Sequence, residues 1–214
     1  MDQKEKLLKQ LIFNYPKMKG VKDDIQRAAA LLARCYQNGH KLLVCGNGGS
    51  AADSGHIVGE LMKGFCLKRP LSSGLKEKLE EAFGEEGRLL GSRLQEALPA
   101  ISLNSHQALI SAFANDAEPD YVYAQQLMGY GEPGDVLIGI STSGNAENVI
   151  AAMQLASVLG LDTIALSGKD GGVMAGLADE AIIIPEDETY RIQEYHIAVY
   201  HYLCRYQELT FFEE

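Results

Sequence analysis

Five short apolar runs, each separated from the next by a stretch of helical character, constrain this chain more than any other feature. They are Lys41 to Cys45 (KLLVC), Ala100 to Leu103 (AISL), Asp135 to Ile140 (DVLIGI), Thr163 to Leu166 (TIAL) and Ala181 to Ile184 (AIII). A strand with one face in water alternates apolar and polar residues, whereas most of these are apolar almost throughout, which predicts burial on both faces. Strands of this kind alternating with helices form a parallel sheet covered on two sides, so the fold class is α/β with a five-stranded parallel sheet. Leu7, Leu8, Leu11 and Ile12 recur at helical spacing before Pro16, and a second amphipathic stretch runs from about Val21 to Tyr36 before Asn38-Gly39. An N-terminal helical pair therefore occupies 1–38, and a long C-terminal helix is predicted from about Tyr190 toward Leu209. These helices exceed what a five-stranded sheet needs for cover, which predicts an oligomer.

The 214 residues suit a single domain over 1–214. Between 68 and 98 the β character lapses, and six basic and six acidic residues mix with Leu, Ala and Glu. Gly, Ser and Pro are too sparse there for a flexible linker, so the stretch reads as a helical insertion. With 19 Lys and Arg against 29 Asp and Glu, the net charge of −10 lacks the clustered basic residues that nucleic-acid phosphates require. No apolar run approaches the roughly 18–20 residues of a membrane span, and the charged start MDQKEK lacks the apolar segment of a secretory signal. The expectation is a cytoplasmic protein without a membrane or nucleic-acid partner. Cys35, Cys45, Cys66 and Cys204 stand singly, without metal or redox spacing, and are expected to be reduced and mostly buried.

Two loops carry chemistry. After the first run comes Gly46-Asn47-Gly48-Gly49-Ser50, passing directly into a helix. Glycines let backbone N–H groups turn inward and a helix N-terminus adds partial positive charge, so the loop suits an anion. Gly46, Gly48 and Ala51 also satisfy the dinucleotide pattern G-x-G-x-x-A, but that motif needs a second strand ending in an acidic residue about 20 positions on. Cys66 to Pro70 stand there instead, with Lys68 and Arg69, so the dinucleotide reading fails. The third run leads into Ser141-Thr142-Ser143-Gly144-Asn145 and another helix, where three hydroxyls and a helix N-terminus suit a phosphate without a nearby arginine. A phosphorylated small molecule explains both loops. On the helix after the first loop, His56 and Glu60 stand four apart, about 400° of rotation, so both leave one face and can share a divalent metal.

Taken in order, CGNGGSAADSGH, AND, GISTSGN, SGKDGG and RIQEYHIAVYH resemble the sugar isomerase (SIS) domain family, and most closely its sedoheptulose 7-phosphate (phosphoheptose) isomerase branch. The resemblance implies an aldose–ketose isomerase that converts sedoheptulose 7-phosphate to D-glycero-D-manno-heptose 7-phosphate through an enediol, the first step toward activated heptose for surface glycans. It places Glu60 and His201 as the acid–base pair, and His56, Glu60, Gln193 and His201 at zinc-ligand positions, one Zn²⁺ per subunit. It places Asn47, Gly48, Gly49, with Ser50 beside them, Glu60, Asn115, Asp116, Ser141, Thr142, Ser143 and Gln193 against substrate. A homotetramer with sites shared between subunits is implied as well. Two positions depart from the branch and bear on which sugar is preferred: Ala146, where a serine is usual, and Tyr190, where some members carry an acid.

Helix geometry limits this ligand set. Gln193 and His201 are eight residues apart, about 12 Å of rise on a regular helix, too far for both to reach one ion. Either Gln193 precedes the regular helix, or the two residues serve a site from different subunits. His196, three residues after Gln193, is expected to be a packed or surface histidine rather than a ligand. The competing functions are a non-catalytic SIS sensor or adaptor, which would tend to lose the His/Glu/Gln/His set, and an isomerase for another sugar phosphate.

Overall fold

The computed structural model describes residues 2–212. After helix α1 (Gln3–Asn14), a 3-10 turn over Pro16–Val21 and helix α2 (Lys22–Gln37), strand β1 (Leu42–Gly46) enters the sheet. Helix α3 (Gly49–Leu61) and helix α4 (Ser73–Arg93) precede strand β2 (Ala100–Ser102). Helices α5 (Gln107–Asp116) and α6 (Val122–Tyr130) lead to strand β3 (Val136–Ser141), helix α7 (Glu147–Leu159) and strand β4 (Asp162–Gly168). Helix α8 (Gly172–Leu177), strand β5 (Glu180–Ile184) and helix α9 (Thr189–Phe211) complete the chain. The five expected runs are thus the five strands, displaced by a residue or two at their ends, and all pair in parallel in the order β2-β1-β3-β4-β5.

The apolar runs are continuous because each strand feeds two cores. Leu42 and Val44 of β1 point to one face with Ile138, Ile140, Ile164, Leu166, Ile182 and Ile184, where they meet α2 and α9. Leu43 and Cys45 point to the other, with Leu137 and Ala165, against α6 and α7. Side chains alternate across a strand, so a polar residue at either parity would be buried. The first face carries more helix than the second: α1 and α2 pack with α9, and Met18, Ile25 and Leu32 are fully buried there. Within 68–98 the helix α4 covers only Ser73–Arg93, between flanks joined by an antiparallel bridge of Pro70 with Gln95, and it breaks at Gly84 (φ +57°) into two arms. Of the cysteines, Cys35, Cys45 and Cys204 are buried, Cys66 is exposed, and all four are free.

Of the two places expected for His196, packed or at the surface, the structure has it packed. Its ring is fully buried under β4, with Nε2 3.2 Å from the Ser167 carbonyl, and burial pushes its pKa down to about 4 against the upward pull of that bond. A histidine held neutral in the fold but titrating near 6.5 when unfolded binds more protons in the unfolded state between those values. Stability is therefore full above about pH 6.5 and declines as pH falls toward 4, by about 3 kcal/mol in total at roughly 1.4 kcal/mol per unit. Denaturant unfolding of His196→Phe, which cannot acquire the charge, is expected to show a visibly shallower loss of stability between pH 6.5 and 4.5 than the parent chain.

Candidate active site

Sheet order reverses between β1 and β3: β1 is followed outward by β2, while β3 is followed by β4 on the other side. Loops leaving strand carboxyl ends at such a switch point part from each other and leave a crevice. Here they are Asn47-Gly48 before α3 and Thr142 to Ala146 before α7. With the start of α9 they enclose a cavity of about 310 Å³ lined by Asn47, Gly48, Gly49, Ser50, Ser141, Thr142, Ala146, Thr189 and Gln193. Within the second loop Ser141 and Ser143 hold their hydroxyl oxygens 3.5 Å apart, and the Asn145 N–H donates to Ser143 Oγ at 3.2 Å. Gly144 adopts φ +66° with its Cα facing the Gly171 carbonyl, so no side chain fits there.

Residues that the sequence reading did not single out fix these loops. Asn47 and Asn148 exchange amide hydrogen bonds, Nδ2 of each donating to Oδ1 of the other at 2.7 and 3.0 Å, which ties the first loop to the first turn of α7. Asn104 accepts the Gly46 N–H at 3.3 Å, and its Nδ2 donates to the Gly46 carbonyl at 2.8 Å. Tyr123 donates to the same carbonyl at 2.7 Å. Asn104 stands just past β2, at the ligand-binding edge of the sheet, and that position was the signal available in the sequence.

Helices α3 and α9 run side by side in the same direction. Gly49 lies against Gln193: a Cβ on Gly49 would stand 2.5 Å from Gln193 Nε2. Two turns further along α3, His56 meets Tyr200 and His201 edge-on, with ring centroids 5.3 and 5.0 Å away. Its Nε2 is 3.2 Å from Glu60 Oε1 and its Nδ1 is 2.9 Å from the Tyr200 hydroxyl. His201 Nε2 is buried without a hydrogen-bond partner. Burial first, then the neighbouring His56, lowers the His201 pKa against an upward pull from Glu60.

The structure therefore brings His56, Glu60 and His201 together and leaves Gln193 with the loops. One expectation is corrected: Gln193 does not precede the regular helix, because α9 already begins at Thr189, where the extended Glu188 (φ −79°, ψ 123°) hands over to helical backbone. Asn115 and Asp116 end α5, exposed, with Asn115 Nδ2 donating to Asp116 Oδ1 at 2.8 Å, and neither lines the loop cavity. Ala146 lines that cavity, while Tyr190 is 56% exposed and lies outside it. Among the described residues no group of three His, Cys, Asp or Glu side chains is arranged to hold a metal ion.

Beyond Glu60 the chain is held by a buried ion pair. Glu208 on α9 accepts backbone N–H groups of Phe65, Cys66 and Leu67 at 2.8, 2.9 and 3.2 Å. Arg69, 1% exposed, pairs with Glu208 at 2.9 Å and donates to the Leu61 and Glu60 carbonyls at 2.7 and 3.2 Å, the unsatisfied end of α3. Burial raises the Glu208 carboxyl, but the Cys66 and Phe65 amides, Arg205 and the Leu67 amide outweigh it and hold the pKa below the usual range. Removing one partner of such a pair costs about 3–5 kcal/mol, because the other charge stays buried.

A family model described as the SIS domain matches residues 17–82 and 78–168. The phosphoheptose isomerase of Shewanella sp. (strain ANA-3) is 38% identical over 195 residues, covering 90% of this chain and 86% of the relative. The chain belongs to the SIS-domain family, in its phosphoheptose isomerase branch. Solved structures agree with this SIS fold. The phosphoheptose isomerase of Neisseria gonorrhoeae matches with TM-score 0.68 and 35% identity over 86% of this chain and 84% of that one. That of Francisella tularensis matches with TM-score 0.72 and 31% identity over 86% and 85%.

Gly49→Ala is expected to leave the fold intact, since the atom it meets is the end of a flexible side chain, yet to push Gln193 off the loop. Isothermal titration with sugar phosphate is expected to show affinity weakened about tenfold, with a stability change within about 1 kcal/mol.

Proposed function

We propose that this SIS-domain chain is an aldose–ketose isomerase acting on sedoheptulose 7-phosphate to give D-glycero-D-manno-heptose 7-phosphate. The observation that carries the reading is the convergence of Glu60 with His56 and the partnerless Nε2 of His201, one helix away from a phosphate-type crevice. The relatives' names, phosphoheptose isomerase, support this reading. In this reading Ser141, Thr142, Ser143 and the N-terminus of α7 take the phosphate. Asn47, Gly48, Gly49, Ser50 and Gln193 take the sugar hydroxyls, and Asn115 and Asp116, outside the loop cavity of their own chain, join them only in a site shared between subunits. Moving hydrogen between neighbouring carbons through an enediol needs one group to carry the carbon-bound proton and one to serve the oxygens, and Glu60 and His201 fill these roles. Burial and the neighbouring His56 lower the His201 pKa, so its imidazole has a lone pair to give either to a proton or to a metal, not to both at once.

Two imidazoles, a carboxylate and a side-chain amide match zinc in kind, and the partnerless His201 nitrogen is the atom that asks for such a neighbour. We assign His56, Glu60, His201 and Gln193 as the residues that would hold Zn²⁺. When bound, the ion supplies Lewis-acid polarisation of the sugar oxygens. Since Gln193 and His201 lie on one unbroken helix, sharing between subunits is what closes this set. Ile197 stands midway between them and is 41% exposed. A two-fold axis beside Ile197 would lay two copies of α9 antiparallel, bringing Gln193 of each toward His201 of the other. A homotetramer built on such pairs has shared sites. The free cysteines support a reducing, cytoplasmic setting, and among the described residues no helix is long and apolar enough to cross a membrane.

Chelator-stripped protein incubated with sedoheptulose 7-phosphate, with and without Zn²⁺, is expected to form aldose by NMR only when zinc is restored. Glu60→Gln and His201→Ala are each expected to lower kcat by about 10²–10⁴-fold. Metal binding without turnover of this sugar would redirect the assignment to another sugar phosphate, and neither binding nor turnover would favour a sensor or adaptor. Ile197→Glu is expected to dissociate the assembly by light scattering and abolish turnover together, with secondary structure retained.

A further inference from the structure

Tyr200 packs against both histidines of the site, and the role of its hydroxyl is not accounted for by packing. The ring is fully buried on α9, edge-on to His56 and His201, and its hydroxyl has two partners on α3: Asp53 Oδ1 at 3.2 Å and His56 Nδ1 at 2.9 Å. Asp53 and His56 are three residues apart and Glu60 four further on, so all three share one face of that helix. A phenol has one proton to give. Given to the Asp53 carboxylate, it leaves the oxygen as an acceptor, and His56 must then carry its own proton on Nδ1 to fill it. The lone pair on His56 Nε2 is thereby directed at Glu60 Oε1, 3.2 Å away. In that tautomer His56 Nε2 and Glu60 Oε1 are two acceptors facing each other beside the partnerless His201 Nε2, an arrangement that a proton or a cation would relieve.

We propose that Asp53 and Tyr200 are positioning residues that act in series to lock His56 in its Nδ1–H tautomer, so that Nε2 is free to serve the acid–base and metal chemistry of the site. The inference rests on the reading of His56 and Glu60 as a ligand pair, but the tautomer itself does not depend on a metal. The other charged or titratable groups around His56 are Glu60, Lys63, which bonds Glu60 Oε2 at 3.2 Å, and His201, and none of them reaches Nδ1. Partners of this kind behind a ligating histidine are worth about 10–100-fold in metal affinity or activity.

Tyr200→Phe keeps the ring and removes only the hydroxyl, and Asp53→Ala removes the acceptor at the far end of the series. Nitrogen-15 NMR of metal-free protein at pH 8 is expected to show His56 protonated at Nδ1 in the parent chain and largely at Nε2 in Tyr200→Phe. Zinc affinity by chelator competition is expected to weaken 10–100-fold in Tyr200→Phe. It should weaken in the same direction in Asp53→Ala, and no further in the double variant, because the two act through one route. Turnover lost by Tyr200→Phe should return substantially at saturating zinc, which a packing defect would not allow. An Nε2–H tautomer in the parent chain overturns the proposal, as does a folded Tyr200→Phe with parental tautomer, zinc affinity and kcat. A parent chain that shows the Nδ1–H tautomer but binds no zinc overturns the metal reading alone and leaves the positioning role standing.

Discussion

The contact on which the site's geometry depends is the burial of Glu208 against Arg69. A charged pair inside a protein survives only when nearly every donor and acceptor is used, and here nearly all are: three amides and two arginines on the carboxylate, two helix-terminal carbonyls on the guanidinium. The consequence is mechanical. The carbonyl end of α3, where helices ordinarily fray, is tied to α9 through the carbonyls of Leu61 and of Glu60, the residue that carries chemistry. His201 and Glu208 are seven residues apart on α9, two turns, and so share a face. The helix that supplies Glu60 and the helix that supplies His201 are thereby fixed against each other just below the place where those side chains meet.

Above this clamp the same pair of helices ends at a different kind of chemistry. The first residues of α3 and α9 border the crevice at the sheet's switch point, where polar backbone and hydroxyls replace charge. The reciprocal amides of Asn47 and Asn148 make the two loops one object rather than two. A single chain thus presents an anion-suited end and an acid–base end on one helical pair, about two turns apart.

Most of the fold was legible because the central strands are buried on both faces, which the continuous apolar runs Leu42 to Cys45 and Val136 to Ile140 require. Boundaries slipped by a residue or two where Gly46 and Ser141 extend pairing beyond the apolar runs. The break at Gly84 was not foreseen, since a glycine in a charged helical pattern gives no sign of which conformation it takes. For the site, periodicity alone put His56 and Glu60 on one face, and rise per residue alone separated Gln193 from His201. Asn104, Tyr123, Asn148 and Tyr200 escaped notice because their partners are 19 to 147 residues distant, and a hydrogen bond between remote residues leaves no periodic trace.

Helix α9 serves three clients from one unbroken stretch: Gln193 at the loops, His201 at His56 and Glu208 at the clamp. A helix is a ruler with a fixed pitch, and inserting or deleting one residue anywhere between 193 and 208 would turn everything beyond it by about 100° and shift it by about 1.5 Å. Each client would then face the wrong neighbour, whatever its identity. The spacing in this helix is therefore under stricter constraint than most of its letters.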